Sequence, residues 1–369
     1  MLLRYLFVCL LFFTLVSPVR CLADGESAEM GQLIVTEEYV FEKAPFEECH
    51  AATLAENPDG TLVAAWFGGT REGNPDVAIW SSRRVQGSWT APVVAADAVE
   101  ADTPCWNPVL FAMEPGCMTL FYKTGKTIGT WQGERVDSTD GGATWQNRHL
   151  LPEFFLGPVK NKPIRLDDGT ILCGSSTEHN GWRVHVERLP ATGSTWSRTE
   201  SLNSQEESAI QPTLLTLGDG RIQMLCRPGG GHKNIWQSQS CDGGQTWSKM
   251  TPLELPNPCS GIDAVTLKDK RQLLVYNHTN SSTDFGKRAM LNVAVSDDGT
   301  NWNAVCILEK EPHCEFSYPA VIQTEDGLVH ILYTWKRKKI KHVALDPTKF
   351  EGIPIENGQW PAQIDFPGL

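Results

Sequence analysis

A tight turn followed by an apolar strand recurs six times along this 369-residue chain, at intervals of 50 to 57 residues. The turns are Asp59-Gly60, Pro115-Gly116, Asp168-Gly169, Asp219-Gly220, Asp269-Lys270 and Asp326-Gly327. Behind them run Thr61 to Trp66, Met118 to Tyr122, Thr170 to Leu172, Arg221 to Leu225, Gln272 to Tyr276 and Leu328 to Tyr333. Ahead of each lies a second strand-forming run, from Ala51 to Leu54 in the first unit to Tyr318 to Ile322 in the last. Such turns need a residue that accepts positive φ, which glycine does without a Cβ clash, so each unit reads as a β-hairpin. A hairpin cannot bury an apolar face alone, and a regular array of them has to stack neighbour against neighbour. The 32 Gly and 23 Pro suit a chain with this many turns, and 21% charged against 41% apolar residues excludes a disordered chain.

A second landmark falls later in the unit. Ser138-Thr139-Asp140-Gly141-Gly142-Ala143-Thr144-Trp145 and Ser240-Cys241-Asp242-Gly243-Gly244-Gln245-Thr246-Trp247 share the pattern S-x-D-x-G-x-T-W. Ser296-Asp297-Asp298-Gly299-Thr300-Asn301-Trp302 is one residue shorter, and Gly193-Ser194-Thr195-Trp196 and Gly87-Ser88-Trp89 keep only the tail. An Asp placed there accepts backbone N–H groups across the turn, and the Trp packs between units. One more strand-like run follows each Trp, which makes four strands in each of the first five units. The sixth has three, ending in Ile340 to Ala344, and the N-terminal run 33–40 is the expected fourth, closing the ring and covering an open edge. The reading is an all-β, six-bladed β-propeller in a single domain over residues 24–369.

Residues 1–23 read as a secretory signal peptide, with Arg4 in a short n-region, an apolar run from Leu6 to Val16, and Pro18 ahead of Cys21-Leu22-Ala23. The expected location is therefore secreted or periplasmic, and the apolar run is too short to insert across a membrane. Cleavage removes two arginines and no acid, moving the formal charge from −12 to −14, a field that repels nucleic acid. Any anionic ligand must then be met by a local cationic pocket. Nine of the 11 cysteines remain, an odd and sparse set rather than a disulfide framework. Cys49 and Cys314, each ahead of a first strand in adjacent units, are either a disulfide across the ring closure or two buried thiols. With no C-x-x-C pair and no H-E-x-x-H, neither a metal nor another cofactor is expected. Asn277-His278-Thr279 and Asn280-Ser281-Ser282 are N-glycosylation sequons.

In a propeller the innermost strands surround the axis, so residues just before the first strand and just after the second of each unit converge on one face. Those positions hold His50, Arg71, Asp76, Asn107, Lys123, Lys160, Lys162, Glu178, Gln211, Arg227, Asp263, Asn277, His278, Tyr318 and Arg337, with Arg288 entering a third strand. Several Arg and Lys in one pocket of an acidic protein suit an anionic ligand such as a carboxylated sugar.

The S-x-D-x-G-x-T-W turns, which are Asp boxes, together with the six-fold period and these pocket positions resemble the sialidase (neuraminidase) superfamily over essentially the whole mature chain. Sialidases hold the substrate carboxylate with three Arg, use an Asp as acid/base, and use a Tyr nucleophile activated by a Glu. The resemblance implies Asp76, five residues after Arg71, as the acid/base and Tyr318, eight residues before Asp326, as the nucleophile. It implies Arg227 and Arg288 as two of the three carboxylate-binding arginines. Two positions depart from the family pattern: His50-Ala51-Ala52 stands where the first Arg belongs, and Gln211 stands where the activating Glu belongs. An amide cannot take the phenol proton, which leaves Tyr318 a weaker nucleophile unless Glu178, Glu187 or Glu315 fills that role. Lys160 or Lys162 would be the replacement for the lost cation.

The expected function is a secreted, exo-acting glycoside hydrolase of the sialidase type that cleaves a terminal acidic sugar from a glycan. Asp76 and Tyr318 would carry the chemistry with Gln211 in the activator's place, and His50, Arg71, Arg227, Arg288, Asn107 and Lys162 would contact the substrate. The alternatives are a uronate-directed lyase or hydrolase, in which His50 or Tyr318 abstracts a proton, and a non-catalytic glycan-binding propeller.

Overall fold

The computed structural model describes residues 32–365 except 115, 192–194 and 280–285. The expected signal peptide, the Asn280 sequon and part of the Gly193 to Trp196 tail lie outside the described residues. Six antiparallel sheets form the blades of a β-propeller. Blade 1 holds Glu48–Glu56, Leu62–Gly69, Ala78–Val85 and the short Ser88–Trp89 and Val93–Ala96. Blade 2 holds Cys105–Glu114, Cys117–Thr124, Gln132–Ser138 and Gln146–Leu150; blade 3 holds Ile164–Arg165, Ile171–Thr177, Arg183–Leu189 and Ser197–Arg198. Blade 4 holds Ala209–Thr216, Ile222–Pro228, Asn234–Ser240 and Thr251–Pro256; blade 5 holds Asp263–Thr266, Gln272–Tyr276, Met290–Ser296 and Asn303–Lys310. Blade 6 holds Phe316–Gln323, Val329–Trp335 and Lys339–Leu345, and its outer strand is Ile34–Tyr39, which runs antiparallel to Lys339–Leu345 with Glu38 opposite His342. The C-terminal segment adds Ile353–Pro354 to the outer edge of blade 5, so that sheet has five strands.

Apolar faces pack blade on blade. Val63 and Ile79 of blade 1 meet Leu110 and Leu120 of blade 2, and Leu291 and Val293 of blade 5 meet Val321 and Ile331 of blade 6. The second strand of each blade lies between two neighbours and is therefore buried on both faces, as Leu62–Gly69 is along its whole length. The S-x-D-x-G-x-T-W turns clamp these interfaces. Asp140 Oδ1 accepts from the backbone N–H groups of Ala143 and Thr144 and from Ser138 Oγ, and Oδ2 accepts from Thr144 Oγ1. The Thr144 hydroxyl, followed by the Thr144 N–H, holds the Asp140 carboxyl down at about 2. Gly244, at φ 79°, lies so close to blade 3 that a Cβ there would sit 2.7 Å from Leu172 Cδ1. Trp145 Nε1 donates to Ser81 Oγ of blade 1 across the seam.

Two readings of side groups that the sequence left open are narrowed. Cys49 and Cys314 are both free thiols, Cys49 buried in the blade 1 core. Asn277 is fully buried, with Nδ2 donating to the carbonyls of Met290 and Phe316, so its sequon is closed to glycosylation once the chain has folded. Among the described residues no helix is long and apolar enough to cross a membrane, and no group of three or more His, Cys, Asp or Glu is placed to hold a metal ion.

The feature that positions the site is a bulge at the start of four inner strands. Pairing shifts register between His50 and Thr53, Trp106 and Val109, Ile210 and Thr213, and Ser317 and Ala320. Inside each bulge one non-glycine residue takes left-handed backbone: Ala51 at φ 56°, Asn107 at 30°, Gln211 at 55° and Tyr318 at 53°. Such conformations cost about 1–3 kcal/mol each and persist where surrounding structure imposes them. A bulge re-aims a side chain, and here it does so at one end of the axis.

Candidate active site

Tyr318 stands where blade 6 meets the axis. Its phenolic oxygen accepts a hydrogen bond from Arg227 Nη1 at 2.6 Å and another from Gln211 Nε2 at 3.2 Å, while Arg227 Nη1 also reaches Gln211 Oε1 at 3.3 Å. Room for the ring comes from Gly261, where a Cβ would lie 3.2 Å from Tyr318 Cδ2 and 3.3 Å from Lys160 Cε. Three cations surround the ring, with Arg288 Cζ 5.5 Å, Arg227 Cζ 5.8 Å and Lys160 Nζ 5.9 Å from its centroid. Arg227 also lies over the Trp182 ring, 5.0 Å from its centroid, and Arg227 Nη2 approaches Cys259 Sγ at 3.4 Å. Two donors aimed at one phenol oxygen stabilise negative charge on it.

His50 completes the wall beneath, its ring centroid 4.0 Å from that of Tyr318 and its Nδ1 2.9 Å from Thr334 Oγ1. Burial, then the positive charges of Arg337, Arg288, Arg227 and Lys160, push its pKa well below the ordinary histidine value, so His50 is a neutral imidazole rather than a cation. The third guanidinium comes from a place the family pattern does not indicate. Lys336 and Arg337 occupy the hairpin between the second and third strands of blade 6, both in left-handed backbone at φ 52° and 59°. The Arg337 carbonyl accepts from Cys49 N at 2.9 Å, which docks the hairpin over blade 1. Arg337 Nε then donates to Glu315 Oε1 at 3.0 Å, an oxygen that also accepts from Arg288 Nη1 at 2.8 Å and Ser317 Oγ at 2.7 Å, and Arg337 Nη1 donates to Glu72 at 2.6 Å. Burial opposes ionisation of Glu315, but Arg288 and Arg337 outweigh it and hold the carboxyl below its usual value.

The other expected residues fall into distinct places. Asn107 is buried at the blade 2 bulge, equivalent to Gln211 and Tyr318, and its carbonyl accepts from Lys123 Nζ at 3.4 Å. Asp76 and Arg71 are exposed on the loop that follows the second strand of blade 1. The Asp76 carboxylate accepts from Thr70 N at 2.7 Å and Thr70 Oγ1 at 2.5 Å. That loop reaches the pocket through Glu72, and Gly73 faces the Trp106 ring. Lys162 is paired within the protein: its ammonium lies 3.0 Å from buried Asp263 and donates to the Ala264 carbonyl. Asp263 in turn accepts from Thr213 Oγ1 and Val321 N, so this pair ties blades 3, 4, 5 and 6 at the axis. Lys160 does not present a free ammonium either. It donates to Asn161 Oδ1 and to the carbonyls of Ile262 and Pro319, and burial pulls its pKa down to about 7.

No carboxylate among the described residues is hydrogen-bonded to Tyr318. Glu187 is committed to Leu156 N, Gly157 N, Ser175 and His185, and Glu315 to its two arginines. Glu178, whose pKa burial raises against the opposing charge of Arg227, stands on the loop ahead of Trp182. The departure at position 211 is therefore not repaired by a base moved in from elsewhere. Arg337, on the hairpin after the second strand of blade 6, adds a further guanidinium beside His50 and Arg288.

The six-bladed fold and the relatives it matches place the chain in the sialidase and BNR-repeat superfamily. Residues 60–331 match the family described as the BNR repeat-like domain, and the chain belongs to it. The anhydrosialidase of Macrobdella decora is 22% identical over 277 residues, which are 64% of this chain and 34% of that protein, so the chain spans about a third of that relative's length. Among solved structures, a protein of unknown function from Dyadobacter fermentans superposes with a TM-score of 0.70 at 16% identity, covering 85% of this chain and 98% of that one. The NanB sialidase from Streptococcus pneumoniae superposes with a TM-score of 0.66 at 12% identity, covering 87% and 71%. At these identities the structural likeness speaks for the fold.

Proposed function

We propose that this protein binds the carboxylate of a terminal acidic sugar against Arg227, Arg288 and Arg337 and cleaves its glycosidic bond by attack of Tyr318. The observation that carries this reading is the Tyr318 oxygen held by Arg227 and Gln211 beneath a cluster of guanidinium groups. A tyrosine is a neutral nucleophile and avoids repulsion from the sugar's own carboxylate, which is why acidic sugars are an exception to the two-carboxylate scheme. In the first step the Tyr318 oxygen bonds to the anomeric carbon, its proton passes to solvent, and Asp76 protonates the departing glycosidic oxygen. In the second, Asp76 takes a proton from water as the water oxygen bonds to the anomeric carbon, the bond from that carbon to Tyr318 breaks, and the phenolate regains a proton from solvent. The sialidase names of the relatives support this substrate class. The pattern at residues 1–23 supports an exported protein, checked by N-terminal sequencing of the mature chain.

The test is release of a fluorogenic aglycone from an α-sialoside. Wild type is expected to turn over, and Tyr318→Phe and Asp76→Asn to lose at least about 100-fold; inactive wild type, or undiminished variants, contradict the reading. One observation favours a second reading: Tyr318, with no carboxylate among the described residues hydrogen-bonded to it and Arg227 placed to stabilise its phenolate, suits proton abstraction from a uronate. Appearance of a UV-absorbing unsaturated uronate from a uronate-containing glycan would select it, and tight glycan binding without any turnover would select a binding propeller.

A further inference from the structure

Lys160 and Asn161 stand just ahead of Ile164–Arg165, the inner strand of blade 3, and both are buried. An ammonium carries three N–H groups, and that of Lys160 has three acceptors: Asn161 Oδ1 at 2.8 Å, the Ile262 carbonyl at 2.7 Å and the Pro319 carbonyl. They belong to three parts of the ring, namely the entry to blade 3, the entry to blade 5, and the blade 6 bulge one residue past Tyr318. The first of these bonds also settles how the Asn161 amide faces. With Oδ1 on the ammonium, Nδ2 donates to the Gln211 carbonyl at 2.9 Å, inside the blade 4 bulge. One ammonium therefore reaches, directly or through one amide, the backbone of both bulges that carry the phenol and its amide donor. Lys160 is itself in left-handed backbone at φ 79°, as Gln211 and Tyr318 are, and such backbone persists only where neighbours impose it. A buried ammonium is costly, and a methionine of similar length would fill the space without that cost, so the charge needs a reason.

We propose that Lys160 is a positioning residue: its ammonium, with the Asn161 amide it orients, holds the bulges of blades 4 and 6 so that the Tyr318 oxygen meets Gln211 Nε2 and Arg227 Nη1. The inference rests on the reading of Tyr318 as the reacting group, and it adds a pH control to that group. Burial lowers the Lys160 pKa to about 7; Asp263 of blade 5 opposes the shift, while Lys162, two residues on, and Arg227 of blade 4 reinforce it. The other titratable neighbours are Tyr318 of blade 6, its ring centroid 5.9 Å from Nζ, and the neutral His50 of blade 1. Above that pH the neutral amine has two N–H groups for three acceptors, so one contact is lost and the hold on the bulges weakens.

Two readouts on the full chain test this. The first needs no substrate: protein labelled with ring-¹³C tyrosine is titrated across neutral pH by NMR, and the Tyr318 resonance is assigned by its loss in Tyr318→Phe. That resonance is expected to shift with a midpoint near 7 in wild type and to lose this titration in Lys160→Met. In Asn161→Asp, which sets a carboxylate against the ammonium, the midpoint is expected to rise by at least about one pH unit, readable even where Lys160→Met does not fold. A Tyr318 resonance that does not titrate in wild type, that titrates alike in folded Lys160→Met, or that keeps its midpoint in Asn161→Asp overturns the inference. The second readout is turnover of the fluorogenic sialoside. Lys160→Met is expected to lose about tenfold or more in kcat with KM changed less than about threefold, since a misplaced nucleophile slows the step without weakening the guanidinium contacts. A loss confined to KM overturns the positioning role. Wild type that turns over no sialoside contradicts the proposed function and leaves the tyrosine titration to decide on Lys160, so the two failures are separate.

Discussion

Replacing Gln211 by Glu puts a carboxylate where the amide now donates to Tyr318. The carboxylate would lie about 3.2 Å from the phenol oxygen and 3.3 Å from Arg227 Nη1, the distances its amide atoms hold now. Pairing with Arg227 at that range is worth about 5 kcal/mol at an effective dielectric of ~20. Burying the new charge costs several kcal/mol, which leaves the net stability change within about 2 kcal/mol of zero. The kinetic effect is not cancelled in this way. An acceptor for the phenol proton adds general-base assistance worth about 10²–10⁴, and because Arg227 already stabilises the oxygen the lower end, about 10²-fold, is expected in kcat/KM. The assay is initial-rate hydrolysis of a fluorogenic sialoside from pH 4 to 8, with thermal unfolding as the control for folding. The variant should also gain an acid limb in its pH profile, since the carboxylate works only when ionised. If kcat/KM of a folded Gln211→Glu protein is unchanged or lower, the phenol proton is not what limits Tyr318, and the nucleophile assignment loses its physical basis.

Three other outcomes are expected. His342 Nδ1 lies 2.9 Å from Glu38 and donates to it, so its Nε2 accepts the N–H of His330 at 2.8 Å; burial, then the charge of His342, pulls His330 down to about 4. Because that folded value lies below the unfolded value of 6.5, stability is fully present above pH 6.5 and falls toward pH 4 by on the order of 3 kcal/mol, and His330→Gln should flatten this limb in urea titrations. Gly244→Ala combines a left-handed φ with a contact on buried Leu172 and should cost about 2–4 kcal/mol of unfolding free energy, a loss below ~1 kcal/mol arguing against a tight blade 3–blade 4 seam. Lys162→Met leaves the Asp263 charge buried and should destabilise by about 3 kcal/mol with little change in the KM of whatever substrate is turned over, whereas a large KM increase would return Lys162 to the binding site.

The fold was legible because its signals are local and repeated. Each Asp-Gly turn and each S-x-D-x-G-x-T-W turn carries its own conformational requirement, and a strand shortfall in the sixth unit pointed to an outer strand from elsewhere. The pairing of Ile34–Tyr39 with Lys339–Leu345 places one there. The strand at Ile353–Pro354 was not legible, since two residues carry no periodicity. In the site, His50, Gln211 and Tyr318 on inner strands, Arg227 at the end of a second strand and Arg288 ahead of a third converge because the repeat sets where each strand begins and ends. Arg337 was visible only as one of many polar residues near the axis. Its role depends on two consecutive left-handed residues in a Lys336-Arg337 turn with no glycine, a cost no local signal announces. For Lys162 the sequence shows only a cation near the axis, and the three-dimensional position of Asp263 is what reveals its pairing.

If guanidinium groups at the axis recognise a sugar carboxylate, affinity follows that charge. Titration of N-acetylneuraminic acid and of its methyl ester into the Tyr318→Phe protein tests it most directly, because the two ligands differ in that charge. Two or more charge-assisted hydrogen bonds at about 1.5–3 kcal/mol each predict that the ester binds at least ~100-fold more weakly, and that Arg288→Met removes most of the difference. Equal affinities for acid and ester would contradict the account.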